Sequence, residues 1–362
     1  MDKIAFVAIT KHGTELIRQL WQKRSDADLY YMTKHAYGDE EEKGFQLFEG
    51  SVKLQLPRLF AEYDGLVIVI SLGAVIRMIA PILKGKKVDP AVVVVDDRGQ
   101  FVISALSGHV GGANELTEEI AGLLGATPVI TTASDVQKTI PVDIFGREFG
   151  WTIEDEQAVT PVSAAIVNEE PVLIVQEAGE RHWWKHDKPL PSHFTLVSSL
   201  AETEPDRFHA TLVISDRLLS KKWMTILRTK GVLYRPKTLC LGIGCNRGTS
   251  ADEIEAVIFE TLQELELSPN SVVSISTIDL KKDEVGLLAV CEKFQWEFIC
   301  YSPAELNEIP FPNPSETVFR YTGAYGVSEP AAMRTAESRQ LLLEKKKSGN
   351  VTISIARKGE ER

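Results

Sequence analysis

The chain has 362 residues and a mass of 40.2 kDa, with 44% hydrophobic and 25% charged residues, a balance that excludes a largely disordered protein. Its length holds two or three domains, each able to bury a core. With 51 acidic against 40 basic residues the formal charge is −11, spread along the chain, so no segment is a basic arm for nucleic acid.

Met1 to Ile9 reads as a buried first strand, since its apolar run is too short for the core of a signal peptide. Apolar runs elsewhere reach about five residues against the roughly 20 needed to cross a bilayer. No membrane segment is expected. Cys240, Cys245, Cys291 and Cys300 have no C-x-x-C pair or zinc-finger spacing, which suits reduced thiols in a cytoplasmic protein.

Over residues 1–136, β-branched runs bounded by Gly, Pro and Asp alternate with helical patterns, as in an open α/β domain with a mostly parallel sheet. Strands are expected near 3–9, 28–32, 66–71, 91–96, 101–104 and 127–132, and helices near 13–23, 51–62, 73–83 and 111–124. Ligands of such sheets bind beyond the carboxyl ends of strands. The turns after 66–71 and 101–104 are therefore the first places to look. Asp39–Glu42 reads as a solvated turn, as does Lys345–Lys347 near the other end of the chain.

Residues 137–236 are punctuated by prolines between short apolar runs such as Val172–Val175 and Thr211–Ile214, which predicts a smaller α/β domain. Its Arg181-His182-Trp183-Trp184-Lys185-His186 stretch could form a stacking face for a flat ligand, but reads first as a loop whose tryptophans pack on the neighbouring domain. Residues 237–362 form a third α/β segment. A strand and a glycine turn lead into a helix that Ser250 and Glu253 open as a capping box and that runs to about Leu267. Strands follow near 271–276, 297–301, 340–343 and 351–356, with helices near 283–294 and 329–337. Ser302-Pro303-Ala304-Glu305 is a second capping box, with proline at the first helical position. The fold class is thus α/β and multi-domain, with open, mostly parallel sheets flanked by helices.

Three glycine-bearing turns precede helices and can offer backbone N–H groups to an anion. The first carries Gly73 and Arg77, the third Gly244, Cys245, Arg247 and Thr249. The second is the densest, with Ser104, Ser107, Gly108, His109, Gly111, Gly112, Asn114 and Glu115. Polar clusters also mark other expected strand or helix ends: Thr131, Thr132 and Asp135; Asp279 and Lys281; Ser328 and Glu329. The third turn is one residue too long for the dinucleotide fingerprint and lacks its acidic partner on a second strand. No P-loop, G-x-S-x-G or H-E-x-x-H is present. His109 beside glycine N–H groups suits a base with an oxyanion pocket, or ordinary loop scaffolding. Asp96-Asp97 could orient it or hold a cation, or simply form a solvated turn. Cys245, expected at a helix N-terminus, could carry a lowered thiol pKa or serve as small-residue packing.

These strings resemble the cobalt-precorrin-5A hydrolase (CbiG) family of cobalamin biosynthesis. The resemblance rests on Gly73–Pro81, Asp89–Asp96, Phe101–Leu116 and Pro128–Asp135, and in the last third on Leu241–Ser250, Ser276–Leu287, Gly326–Ala332 and Lys346–Thr352, which look like a CobE-type domain. It implies a hydrolase that opens the ring-A δ-lactone of cobalt-precorrin-5A and releases the C20 carbon with its methyl group as acetaldehyde, leaving cobalt-precorrin-5B. The substrate is a tetrapyrrole fringed with carboxylates, for which Arg77, Arg247 and Lys281 are expected partners along with the glycine turns. Cobalt arrives with the substrate, so neither a cofactor nor a protein metal site is implied. His109 then has three readings: base, axial cobalt ligand or orienting group, and scaffold. Transient contact with neighbouring enzymes of the pathway fits the same picture, and a non-catalytic tetrapyrrole carrier is the rival from another class.

Overall fold

In the computed structural model, which describes Met1 and residues 3–359, the first sheet has seven strands. They are β1 (Ile4–Ala8), β2 (Asp28–Met32), β3 (Gln46–Phe48), β4 (Gly65–Val69), β5 (Ala91–Val95), β6 (Phe101–Leu106) and β7 (Thr127–Val129), in the order β3-β2-β1-β4-β5-β6-β7. β1, β4 and β5 are buried along their whole length, because helices cover both faces of the sheet. Phe6, Val67 and Val93 pack with Ile17, Leu20, Leu116 and Ile120 on one side; Val7, Ile68 and Val94 pack with Leu56, Leu59 and Val75 on the other. Continuous apolar strands are what such two-sided burial demands.

Every neighbouring pair in this sheet is parallel except β5 and β6, where Val95 faces Val102. β6 thus runs backwards, and β7 runs parallel to it. The carboxyl ends of β6 and β7 therefore open on the edge where β1, β4 and β5 begin. The turns after β4 and β6, both marked as first places to look, thus lie at opposite edges of the sheet.

Local differences have simple causes. The helix expected over 51–62 is a 3₁₀ turn, Val52–Leu54, followed by an α-helix, Leu56–Glu62, with Pro57 in its first turn. The helix expected from 111 starts at Ala113, after Gly112 in a left-handed conformation. Asp39–Glu42 is not a solvated turn: it leads into the short helix Glu40–Lys43, and the buried Glu40 carboxylate accepts from the Tyr31 hydroxyl and the Gly38 N–H, both at 2.9 Å.

The chain divides into two compact units, Met1–Ile144 and the rest from Phe145 onward. The second unit holds two five-stranded sheets. One has the order β10-β9-β11-β12-β8, built from β8 (Thr152–Ile153), β9 (Val172–Gln176), β10 (Phe194–Val197), β11 (Ala210–Ile214) and β12 (Gly231–Arg235), with β8 alone antiparallel. The other has the order β15-β14-β13-β17-β16, from β13 (Leu239–Cys245), β14 (Val272–Ile278), β15 (Glu297–Tyr301), β16 (Leu343–Ser348) and β17 (Val351–Arg357). Here β17 is antiparallel to both neighbours. The strand expected at 340–343 is β16, and Lys345–Lys347 lies in it rather than in a turn. Asp216, fully buried, joins the two sheets by accepting from Arg357 at 2.7 and 2.9 Å and from the Thr238 hydroxyl at 2.8 Å. Trp183 packs on its own sheet, not a neighbouring domain: its indole donates to Gln176 at 2.8 Å, and its ring meets Phe145 edge-on. Among the described residues no helix is long and apolar enough to cross a membrane.

Candidate active site

Between β6 and the helix Ala113–Leu124, residues 107–112 fold into a tight loop that turns the His109 ring toward β7. Ser107 sits at φ 57°, an uncommon conformation for a residue with a side chain. Its hydroxyl donates to the Asp89 carbonyl at 3.0 Å, which pins it. A Cβ on Gly111 would collide with Ser107, and one on Gly108 would come within 2.8 Å of Asn114 Oδ1. Only glycine allows those approaches.

The second wall is the segment after β7, where Ser134 and Asp135 lie on the short helix Ala133–Gln137. His109 Nε2 is 2.6 Å from Asp135 Oδ2 and 3.0 Å from Ser134 Oγ, and Nδ1 is 3.2 Å from Asp143 Oδ1. Asn114, buried in the first turn of its helix, accepts from the Ser104 hydroxyl at 2.7 Å and donates to Thr132 at 3.1 Å and to Asp135 at 2.9 Å. Asp143, with Asp135 assisting, raises the imidazole pKa above its ordinary 6.5 in spite of burial. Burial pushes the Asp143 carboxyl up, but the imidazolium prevails and holds it below the ordinary carboxylate value.

The loop backbone divides its donors. Gly112 N–H donates to the His109 carbonyl at 3.0 Å, so it is spent and leaves the expected oxyanion pocket. The N–H groups of Gly108, His109 and Gly111 have no acceptor among the described residues. The arrangement can thus move a proton at Nε2 and present backbone donors beside it. Glu115 and Thr131 are exposed at its margin.

Other expected residues go elsewhere. Gly73 and the exposed Arg77 follow β4 on the opposite edge of the sheet, about 15 Å away at the rise of a strand, with the Arg77 guanidinium folded back over Gly73. Asp96 closes its own turn, accepting from the N–H groups of Gln100 and Phe101, and Asp97 pairs with Thr10 on that same far edge. Neither orients His109. Asp143 does so instead, and the sequence carried no sign of it, since it lies beyond Pro141 in an irregular stretch. Ser134 stood inside the polar string after β7 without any mark to separate it from capping.

In the second unit Gly244, Cys245, Arg247, Thr249, Asp279 and Lys281 gather at the carboxyl ends of β13 and β14. The two cations among them are already matched, while Asp279 Oδ1 is buried with no hydrogen-bond partner among the described residues. Arg247 donates to Asp283 at 2.6 Å and to the Leu280 carbonyl at 2.9 Å, and Lys281 reaches the buried Glu284 at 3.2 Å, which also accepts the Gly248 N–H at 2.7 Å. Cys245 ends a strand rather than opening a helix, and burial pushes its thiol up, not down. Ser250 caps its helix, but Glu253 turns to the Asn350 N–H instead of closing the box; Ser302–Glu305 is a complete one. Ser328 and Glu329 are buried, the first bonded to Ser354, the second to Asn313 and the Lys345 N–H. They hold the sheet together rather than face a ligand.

Family descriptions match the chain in three consecutive stretches: cobalamin synthesis G N-terminal over 55–135, cobalamin biosynthesis central region over 140–236, and cobalamin synthesis G C-terminus over 239–356. A cobalt-precorrin-5A hydrolase of Priestia megaterium is 60% identical over 97% of this chain and 94% of its own length. One of Salmonella typhimurium is 30% identical over 98% and 97%. Protein CobE of a Sinorhizobium species is 33% identical over 33% of this chain and 79% of its own length.

Proposed function

Since the chain belongs to the cobalamin synthesis G family and is a cobalt-precorrin-5A hydrolase, we propose that its chemistry is done at the His109 cluster. The supporting observation is the imidazole held between Asp143 and Asp135 beside unpaired loop N–H groups. Asp143 accepts a hydrogen bond from Nδ1–H and fixes the tautomer, so Nε2 is the atom that accepts a proton as the ring-A δ-lactone carbonyl is attacked. Gly108, His109 and Gly111 N–H groups stabilise the oxyanion, each donor of this kind being worth about 3 kcal/mol of barrier. Ser104, Ser107, Asn114, Thr132 and Asp135 shape the pocket around the lactone.

Once the ring opens, the two-carbon unit leaves as acetaldehyde when its hydroxyl loses a proton and its C–C electrons flow into the macrocycle. That sequence needs a base and oxyanion donors, so we propose no organic cofactor and no resident metal; cobalt is part of the substrate. His109 as an axial cobalt ligand is disfavoured, because both its nitrogens are engaged by carboxylates. We also read residues 237–362 as a CobE-like domain, on the strength of the CobE likeness, and place the protein in the cytoplasm with its four free thiols, handing an unstable product to neighbouring pathway enzymes.

The test is His109→Ala, with lactone opening and acetaldehyde release followed separately. Retained binding with opening slowed by about 10²- to 10⁴-fold supports the base role, and unchanged turnover removes it. Wild-type protein that binds cobalt-precorrin-5A yet releases no acetaldehyde would mark a carrier instead.

A further inference from the structure

His109 has a hydroxyl on one side and a carboxylate on the other. Ser134 Oγ lies 3.0 Å from Nε2, and Asp143 Oδ1 lies 3.2 Å from Nδ1. These are the contacts by which an acid, an imidazole and a serine form a nucleophilic relay, an arrangement known from roles and distances and not from any fixed order in the chain. Here the three come from the helix Ala133–Gln137, the loop after β6 and the segment beyond Pro141, which is why no linear motif announces them. Ser134 is 8% exposed, so its hydroxyl is withdrawn from bulk water, and among the described residues its side-chain partner is the ring. Ser134 is the second residue of its helix, not the N-cap, which is Thr132, so capping does not account for its hydroxyl.

We propose that Ser134 is the nucleophile that opens the lactone, with His109 as its base and Asp143 as the group that positions the ring. This rests on the hydrolase reading above and goes further by replacing water with a side chain in the first step. As Ser134 Oγ bonds the lactone carbonyl carbon, its proton passes to His109 Nε2. The ring C–O bond then breaks, and the departing oxygen takes that proton from Nε2. The macrocycle is left esterified to Ser134 through its carboxyl. Water next adds to the ester carbon, gives one proton to Nε2, and the proton returns to Ser134 Oγ as the free acid leaves. Water is the only co-reactant, and nothing is oxidised or reduced.

Asp135 sets the timing. It shares Nε2 with Ser134 at 2.6 Å and is 38% exposed. While the ring is protonated, Nε2 donates to this carboxylate. Once the proton is lost, two acceptors face each other, Asp135 turns to solvent, and the Ser134 hydroxyl donates to Nε2. The Asn114 amide, which now donates to Asp135 and Thr132, is thereby released toward the developing oxyanion.

The experiment uses the full-length wild-type protein with cobalt-precorrin-5A, quenched in acid over a single turnover and read by peptide mass. The expected result is a transient adduct of substrate mass on the peptide carrying Ser134. Ser134→Ala should lose the adduct and slow lactone opening at least 100-fold, while still producing the absorbance change of bound substrate. Wild-type turnover without an adduct, or Ser134→Ala opening the lactone at the wild-type rate, overturns the proposal and leaves the hydrolase reading intact. Wild-type protein that does not turn over at all overturns both. The adduct is sought on the unaltered protein, so a variant that fails to fold does not weaken the test.

Discussion

Two glycine-rich turns, one after β6 and one after β13, both end strands and lead into helices, yet their charges do different things. After β13 the two cations Arg247 and Lys281 both meet acids: Arg247 meets Asp283 and lies 3.6 Å from Glu284, Lys281 meets Glu284, and Glu284 also takes the Gly248 N–H. The outcome is a turn whose two cations are held in place. After β6 a single imidazole is contested by two carboxylates and a hydroxyl, and three backbone donors stay open. A group that can change its proton within this excess of acceptors is able to do chemistry. Glycine turns therefore locate strand ends, and the charge balance around each one is what separates the proposed reactive site from the turn after β13.

The sharpest way to break this comparison is Asp143→Asn. Loss of the carboxylate frees the ring tautomer and should slow lactone opening by about 100-fold or more. The pH profile moves with it. In the wild type, opening should rise with pH as His109 loses its proton, above pH 6.5 because Asp143 raises the imidazole pKa. In the variant the rise should shift to lower pH and reach a lower plateau; a profile that stays in place shows that Asp143 does not govern the ring. Stability has the opposite sign. A raised folded-state pKa contributes stability that is fully present below the unfolded value and is lost as pH climbs through the folded value. The first unit should thus melt earlier on the alkaline side, where the enzyme is fastest, and Asp143→Asn should flatten that dependence.

The second turn should answer to stability instead. Glu284→Ala leaves Lys281 and the Gly248 N–H without their buried acceptor and should destabilise the second unit by about 3 kcal/mol, read by urea unfolding. Lactone opening at saturating substrate should persist. A loss of opening without a loss of stability would make this turn part of the chemistry and erase the contrast. The smallest effect is expected from Arg247→Ala. Its ion pair with Asp283 is exposed on both sides, and such pairs contribute little. Melting and KM should both stay near wild type, and a several-fold rise in KM would show that Arg247 leaves Asp283 to grip a substrate carboxylate.

Local sequence determined a great deal. Short apolar runs gave the positions of β1, β4, β5, β9 and β11, since burial on both faces favours continuous apolar strands. Ser302 and Glu305 showed a complete capping box, and the string around His109 pointed to the reactive loop and to its family. What the sequence by itself could not hold is the direction of a strand. A run such as Phe101–Leu106 has the same composition whichever way it is laid, and only its pairing with β5 reverses it. That reversal separates Gly73 and Arg77 from His109, brings Ser134 and Asp135 beside the ring, and leaves Asp143 room to reach Nδ1. Partners 25 and 34 residues away are chosen by packing and hydrogen bonding in three dimensions, which is why His109 was legible in the chain as a candidate and the groups around its ring were settled by the fold.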